Sequence, residues 1–210
     1  MGKTQAERRH DTLQKLHDAT VACIVSQGFS RLTTTEIART AGVSQGALFR
    51  YYPTKTAVVV GATRQLFDKV MHDFDSLMGE SAQPNLNRLI DDLWGWFSSP
   101  DFIAVSRLFA ESSADAELKQ AIQPIVEQHR LNTNALISRI FPSDDQAVLR
   151  HAAHAVIYLM QGMATERHLI ADDFIEREIF QLMRNFAGLI QVSGNAILPE
   201  SIHGGNSWNK

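Results

Sequence analysis

The chain has 210 residues, a formal net charge of −3 and one cysteine, which excludes an intrachain disulfide. No stretch approaches the ~18 uninterrupted apolar residues of a membrane span, and residues 1–14 lack the apolar core of a secretory signal. The apolar share of 44% is ordinary for a globular protein. We therefore expect a soluble, cytoplasmic protein.

The charge is unevenly distributed along the chain. Residues 1–55 contain eight basic and four acidic side chains, a formal charge of +4, which leaves −7 on the remaining residues. A basic segment joined to an acidic body is typical of a DNA-binding module attached to a part with another function. Chance clustering of charge in a short window is the alternative.

The first three predicted helices follow one another closely. The first has an apolar face and ends at Gly28. Thr33-Thr34-Thr35-Glu36 then has the pattern of a capping box, which starts a short second helix that Gly42 ends. Ser44 caps a short third helix, which runs to about Tyr52, before a proline that cannot continue it. The apolar face of the first helix consists of Leu13, Leu16, Thr20, Cys23, Ile24 and Gln27.

The rest of the chain also has helical spacing. A long fourth helix is predicted over 55–78, with an inner stripe of Phe67, Val70, Phe74 and Leu77. Five further helices are predicted over 85–98, 101–112, 115–140, 144–169 and 172–192. Pro124 should kink the seventh helix or delay its start. No alternating run with flanking turn signals indicates a strand, so the predicted fold is all-α with about nine helices.

The two short capped helices have the proportions of a helix-turn-helix. Gly42 permits the backbone conformation of the turn between them, and Ile37 and Val43 can pack both helices against the first. The third helix begins with Gln45-Gly46-Ala47. These residues are small or polar, so the helix could enter the major groove of DNA closely.

This segment resembles the DNA-binding signature of the TetR family of bacterial transcriptional regulators, over about residues 10–60. The resemblance is carried by Gly28-Phe29 and by Thr33-Thr34-Thr35-Glu36-Ile37-Ala38-Arg39-Thr40-Ala41-Gly42-Val43-Ser44-Gln45-Gly46-Ala47-Leu48-Phe49-Arg50-Tyr51-Tyr52-Pro53-Thr54-Lys55. It implies a ligand-responsive regulator that binds operator DNA as a dimer. The domains would be a DNA-binding head (1–55), an effector-binding and dimerisation body (56–193) and a flexible tail (194–210).

The resemblance also implies roles for single residues. Gln45, Gly46 and Ala47 would face base edges, and most of the others would contact phosphates or lie beside them. Leu32 and Phe49 depart from the family pattern, where threonine and tyrosine are common, and Arg50 could replace the phosphate contact that Phe49 lacks. Arg8 and Arg9 are either a minor-groove arm or a solvated helix start. The predicted DNA-binding residues are Thr33, Thr34, Thr35, Ser44, Gln45, Gly46, Ala47, Phe49, Arg50, Tyr51 and Lys55.

The last two predicted helices carry more apolar surface than one core-facing side requires. On the ninth, two stripes lie side by side: Ile175, Ile179, Leu182, Phe186 and Leu189, and Phe180, Met183, Ala187 and Ile190. We expect both helices to pack on their own body and on a symmetry mate, and the resemblance implies the same four-helix dimer. Burial within a single chain is the alternative. The predicted interface is Ala152, Ala155, Leu159, Phe180, Met183, Ala187 and Ile190.

Aromatic and methionine residues recur between the head and the dimer helices. They either line a cavity for a hydrophobic or aromatic effector or simply fill the core. An effector would shift the population of conformations towards one in which the two heads of the dimer are wrongly spaced for the operator. The fourth helix would connect the cavity to the head. The predicted lining residues are Met71, Phe74, Met78, Trp94, Phe97, Phe109, Glu111, His129, Met160, Gln161 and Met163, and His168 is a further polar candidate.

Two alternatives stay open. His151 and His154 can share a helix face with Glu166 and His168 nearby, but one cysteine and scattered histidines are a weak signal for a metal site. We therefore predict no metal, no cofactor and no catalytic residue. The second alternative keeps the DNA-binding head and makes the protein an activator, or the body a protein-interaction module.

Overall fold

The computed structural model describes residues 4–79, 86–140, 146–167 and 173–192, together with Gly2, Leu169 and Ile170. The side chains at 77–79, 86, 148–149 and 186–192 lie outside the described set, as does the predicted tail (194–210). Within these ranges there are helices and no strands, which confirms the predicted all-α fold. The helices are α1 (Gln5–Gln27), α2 (Thr34–Ala41), α3 (Gln45–Tyr51), α4 (Lys55–Gly79), α5 (Leu86–Phe97), α6 (Pro100–Ser112), α7 (Ala116–Ile140), α8 (Gln146–Glu166) and α9 (Asp173–Val192).

Capping side chains begin the helices of the N-terminal region. The Thr4 hydroxyl accepts a hydrogen bond from the Glu7 amide, and the Glu7 carboxylate accepts one from the Thr4 amide, so a full capping box starts α1. Arg8 and Arg9 consequently lie exposed on the first turns of α1, as a solvated helix start and not as an extended arm. The pattern at Thr33 gives half a box: its hydroxyl accepts from the Glu36 amide, but the Glu36 carboxylate pairs with Arg39 instead.

Of the two effects predicted for Pro124, a kink or a delayed start of α7, the structure contradicts the delayed start. The helix begins at Ala116 and continues through the proline to Ile140, so its start is not delayed. A proline inside a helix removes one backbone hydrogen bond. Leu118, Ile122 and Ile125 are buried on both sides of Pro124, and their burial favours keeping the helix continuous.

The first core cluster joins the N-terminal helices to the body. Leu16 and Ile24 of α1, Ile37 of α2 and Leu48 of α3 are almost completely buried in it. The cluster also includes residues that follow the predicted head: Val58, Val59, Ala104, Leu108, Leu118 and Ile122. The head is therefore packed directly on α6 and α7 and is not connected to the body by α4 alone.

Two smaller clusters complete the described core. One contains Leu66 and Phe67 of α4, Val105 of α6 and Ile125 of α7. The other lies between α5, α6, α8 and α9 and has edge-to-face ring contacts, such as Trp94 against Phe180 at 5.0 Å between centroids. Its buried members are Ile90, Phe97, Phe102, Met160, Ala164 and Met183. The space between these two clusters contains the cavity described below.

Candidate DNA-binding surface and effector cavity

Helix α3 has one buried face and one exposed face. Leu48 is fully buried and fixes the helix against the head core, and Tyr51 and Tyr52 pack beside it. The Ser44 hydroxyl accepts a hydrogen bond from the Ala47 amide at 3.1 Å, so it caps the start of the helix as predicted. We call the exposed side chains of α3 and of the start of α2 the recognition surface: Thr33, Thr35, Ser44, Gln45, Gly46, Phe49 and Arg50.

The structure brings the predicted DNA-binding residues of α2 and α3 together. The side-chain amide of Gln45 donates hydrogen bonds to Thr35 at 3.1 Å and to Thr34 at 3.3 Å. Gln45 is therefore oriented by the start of α2. Gly46 beside it has open space, because an added Cβ would come no closer than 4.0 Å to any neighbouring atom. The backbone of α3 is thus accessible at its first turn.

Lys55, the first residue of α4, is bound to the turn between α1 and α2. Its Nζ donates to the Phe29 carbonyl oxygen at 3.2 Å and lies 4.0 Å from the centroid of the Phe29 ring. Because an ammonium group has three donors, two N–H bonds are not used by this carbonyl. A contact with phosphate stays a prediction.

Glu111 of α6 binds the turn between α1 and α2. Its carboxylate accepts from the Phe29 amide at 2.8 Å, the Ser30 amide at 2.7 Å and the Ser30 hydroxyl at 2.5 Å. Burial alone would raise the pKa of Glu111, but these hydrogen bonds and the Lys55 charge lower it below the usual value. Gly28 allows the approach, because its φ is 79° and a Cβ there would lie 2.8 Å from the carboxylate.

Glu111 was predicted to line the cavity, and this prediction is wrong. In the structure Glu111 lies at the turn between α1 and α2. Arg107, one helical turn earlier, donates to the Ile24 carbonyl oxygen at 3.2 Å. These contacts join residues more than 80 positions apart, and no local pattern indicates them. We call Arg107 and Glu111 the α6 bridge.

A second group that the sequence did not indicate connects α1 with α4. The ring of His17 is hydrogen-bonded through one nitrogen to Gln65 and through the other to the Tyr52 hydroxyl, at 2.5 Å for the latter. Desolvation by burial raises the pKa of Tyr52. This network holds the end of the head against α4.

A cavity of about 500 Å³ lies in the body between α4, α5, α6, α7 and α8. Its size is within the range of small-molecule sites, ~300–1,000 Å³. Six predicted residues line it: Met71, Phe74, Phe97, Phe109, His129 and Gln161. These six residues come from five different helices, α4 to α8.

Other predicted lining residues lie elsewhere. Met160 is fully buried and, like Trp94, packs in the cluster between α5, α8 and α9. Met163 is buried without reaching the cavity. Helical periodicity does not tell which side of α8 faces the cavity, and here Met160 packs with residues of α5 and α9. Met78 and His168 are outside the described side chains.

His129 is the polar side chain most enclosed by apolar groups in the cavity. Its ring stacks on Phe67 with 4.1 Å between centroids, and its Nδ1 is buried without a hydrogen-bond partner in the described part of the chain. Desolvation by burial lowers the pKa of His129 to about 4, although the Asp68 charge opposes this. The imidazole is therefore neutral near pH 7.

The lowered pKa of His129 predicts acid sensitivity. The unfolded chain has the ordinary pKa of 6.5 and the folded chain one of about 4, so the unfolded state binds more protons between these values. The contribution of neutral His129 to the free energy of unfolding is fully present above the unfolded-state pKa of 6.5. It is lost as the pH falls towards 4. Between about pH 7 and pH 5 we expect the free energy of unfolding of His129→Phe to fall by about 2 kcal/mol less than that of the parent, measured by urea unfolding. His72→Phe, at an exposed position on α4, is the control and should behave like the parent.

The predicted dimer helices present a different face from the one expected. Met183 is buried in its own subunit and lines the cavity, and Phe180 packs on Trp94, so neither is free for a partner. Ala152 also lines the cavity. Both stripes of α9 have the same period, and the position of α5 decides which one is covered. Ala187 and Ile190 are outside the described side chains.

Apolar side chains remain exposed on the other face of α8 and α9. Of the predicted interface residues, Leu159 is 41% exposed, and Ala155 is exposed beside it. We call the exposed apolar residues of these two helices the outer face: Ala155, Leu159, Phe174, Ile175 and Leu182. Exposed apolar groups clustered on two neighbouring helices are typical of an association surface.

Neither a cluster of metal ligands nor a membrane-spanning helix is found in the described part of the chain. No three histidine, cysteine, aspartate or glutamate side chains of this part of the chain lie together as metal ligands. None of the helices described is long and apolar enough to cross a membrane.

Comparison with known proteins identifies the head. Residues 16–62 match the family model of bacterial regulatory proteins, tetR family. The regulator CymR of Pseudomonas putida is 25% identical over 150 residues, which is 68% of this chain and 74% of that protein. The regulator BetI of Rhizobium meliloti is 27% identical over 157 residues, 70% of this chain and 76% of that protein.

Solved structures support the fold of the whole chain. A transcriptional regulator of Pseudomonas aeruginosa PAO1 has a TM-score of 0.67 at 19% identity and covers 91% of this chain and 95% of its own. FadR of Bacillus subtilis, solved in complex with stearoyl-CoA, has a TM-score of 0.62 at 18% identity, with 87% and 99% covered. At these identities the likeness concerns the fold alone. The helix-turn-helix head therefore matches the tetR family of bacterial regulatory proteins, and the chain is similar to transcriptional regulators in sequence and in its all-α fold.

Proposed function

We propose that this regulator is a cytoplasmic repressor that binds a near-palindromic operator as a homodimer and leaves it when a small apolar effector enters the cavity. One observation carries the proposal: α4 and α6 each line the cavity and each also hold the head. A ligand that moves either helix would therefore change the position of the recognition surface.

The DNA contact would be made by the recognition surface. Gln45 and Gly46 would meet base edges, because they are exposed at the first turn of α3, the part of a recognition helix that approaches bases. Arg50 is exposed on the same short helix and could bind phosphate. The surplus of basic residues in the head supports its association with DNA.

Lys55 gives a direct test of the phosphate contacts. We expect Lys55→Ala to weaken binding to all DNA sequences similarly and to reduce the slope of log affinity against log salt by about one unit. The measurement is a titration of duplex at several salt concentrations. Arg177→Ala removes an exposed charge from α9, which packs in the cluster with α5, α6 and α8, and should leave the slope unchanged. An unaltered slope in Lys55→Ala would refute the contact.

The homodimer would form through the outer face of α8 and α9. Leu159 and Leu182 are exposed in the single chain, and a partner related by a two-fold axis could bury both. A symmetric dimer would place two recognition helices about 34–36 Å apart, or a multiple of that spacing, on one side of DNA. The operator would then be a near-palindrome.

The effector would act by shifting a population of conformations. Phe109 of α6 lines the cavity, and Glu111, two residues later, is bonded to Phe29 and Ser30 of the head. Phe74 and Met71 of α4 line the same cavity. A ligand that fits better when these helices are displaced lowers operator affinity by that difference in binding free energy.

The proposal is tested by release of DNA. Duplex selected by the protein is titrated with apolar and aromatic ligands, and at least one that binds the protein should lower its DNA affinity. If DNA affinity never changes although ligands occupy the cavity, the effector part of the proposal is wrong. A reporter gene separates repression from activation, because deletion of a repressor raises expression.

A further inference from the structure

The walls of the cavity differ in chemistry. The described lining from α4, α5 and α6 is made of apolar and aromatic side chains. The lining from α7 and α8 adds groups that bear nitrogen or oxygen: His129, Arg130, Thr133, His154, Tyr158 and Gln161. A ligand in this space would have a long apolar contact on one side and a polar contact on the other.

The polar groups lie close together between α7 and α8. His129, Arg130 and Thr133 fall within about one turn of α7. His154 of α8 is hydrogen-bonded through Nε2 to the Asn134 side chain of α7 at 2.8 Å. Desolvation by burial and the Arg130 charge lower the pKa of His154, which places the guanidinium close to this ring. The polar wall is therefore one cluster.

The cluster has hydrogen-bond donors and a positive charge but no negative one. No described lining residue of the cavity is an aspartate or a glutamate. Arg130 forms no ion pair with a side chain in the described ranges, and Nδ1 of His129 has no hydrogen-bond partner there. Asp68, Arg64 and Asn132 face the other side of His129, in a separate small pocket. An ammonium group entering the cavity would find no carboxylate.

We propose that the cavity binds an apolar carboxylic acid, with its hydrocarbon part against α4–α6 and its carboxylate beside Arg130, His129 and His154. This inference depends on the proposed function only in taking the cavity as the effector site. A carboxylate would gain charge-assisted hydrogen bonds from Arg130, whereas neutral His154 has no second N–H to give, because its Nε2 donates to the Asn134 side-chain oxygen. An alcohol of the same length would fill the apolar part without the ionic contact.

The test compares three ligands with the same hydrocarbon chain: decanoate, decan-1-ol and decylammonium. Binding to the full-length protein is measured by calorimetry, below the concentration at which the ligands aggregate. We expect decanoate to bind about tenfold more tightly than decylammonium, a difference of ~1.4 kcal/mol. Equal or tighter binding of decylammonium or decan-1-ol, or no binding of decanoate, would overturn the inference.

Single substitutions locate the carboxylate. Arg130→Gln should weaken decanoate binding about fivefold, since the exposed guanidinium is partly screened by solvent, and should leave decan-1-ol within about twofold. Lys119→Gln removes a positive charge from the same helix at a position that does not line the cavity, and should change neither ligand. An equal loss for both ligands in Arg130→Gln would contradict an ionic contact.

Operator release separates this inference from the proposed function. If decanoate binds with the expected preference but DNA is not released, the proposed carboxylate site is supported and the proposed release of DNA by an effector is wrong. If decan-1-ol or decylammonium binds more tightly than decanoate and releases the operator, the repressor stands and the acid specificity is wrong.

Discussion

Replacing Gly46 with alanine is expected to weaken operator binding by at least about tenfold while the protein stays as stable as the parent or becomes more stable. An added Cβ would meet no neighbouring atom of the chain closer than 4.0 Å, so the fold accepts it. Alanine in place of glycine inside a helix stabilises by about 0.5–1 kcal/mol. If α3 enters the major groove at this turn, the methyl group would separate the helix from base edges, and each lost base contact costs ~1–3 kcal/mol.

The measurement pairs a DNA titration with thermal unfolding. Gly95→Ala is the matched control, because Gly95 lies exposed in α5 and a Cβ there meets nothing within 4 Å. Both variants should gain stability similarly, and only Gly46→Ala should lose DNA affinity. Unchanged affinity in Gly46→Ala would mean that the first turn of α3 does not lie against DNA.

Leu182→Glu is expected to convert the proposed dimer to a monomer at micromolar concentration. Leu182 is 65% exposed in the single chain, so the substitution leaves the subunit core intact. In a two-fold dimer each substitution is introduced twice, and a central apolar contact contributes about 2 kcal/mol or more. The dissociation constant of the dimer should rise by about a thousandfold. Operator affinity should fall with it, because a monomer reaches only one half-site.

Sedimentation equilibrium measures the association directly. Leu131→Glu is the control: Leu131 is 56% exposed on α7, so the same change is made on another surface. It should remain as dimeric as the parent protein. A Leu182→Glu protein that is still dimeric would exclude the outer face of α8 and α9 as the interface.

The features that could be predicted from the sequence are those determined by local interactions. The cap at Ser44 and the helix end at Gly42 depend on residues within one turn, and both were predicted where the structure has them. The buried face of α1 was also predictable, because an amphipathic helix repeats its apolar positions every three or four residues. The same reasoning gave the number of helices in the described part of the chain.

The features that could not be predicted depend on contacts between distant segments. Glu111 was assigned to the cavity, but the amides of Phe29 and Ser30, more than 80 residues away, bind its carboxylate. Met183 was assigned to the interface, since nothing in α9 itself distinguishes Met183, which is buried in its own subunit, from Leu182, which is exposed. In both cases contacts between distant segments determine where the side chain lies, and the local sequence pattern does not.

The central claim is that two copies of α3 read bases from a symmetric dimer. It is tested most directly by selecting tightly bound duplexes from a random pool of DNA and sequencing them. The account predicts an enriched near-palindrome whose half-sites are about 34–36 Å apart, or a multiple of that distance, and which the Gly46→Ala protein enriches poorly. An enriched sequence without two-fold symmetry, or no enrichment over random DNA at low salt, would contradict it.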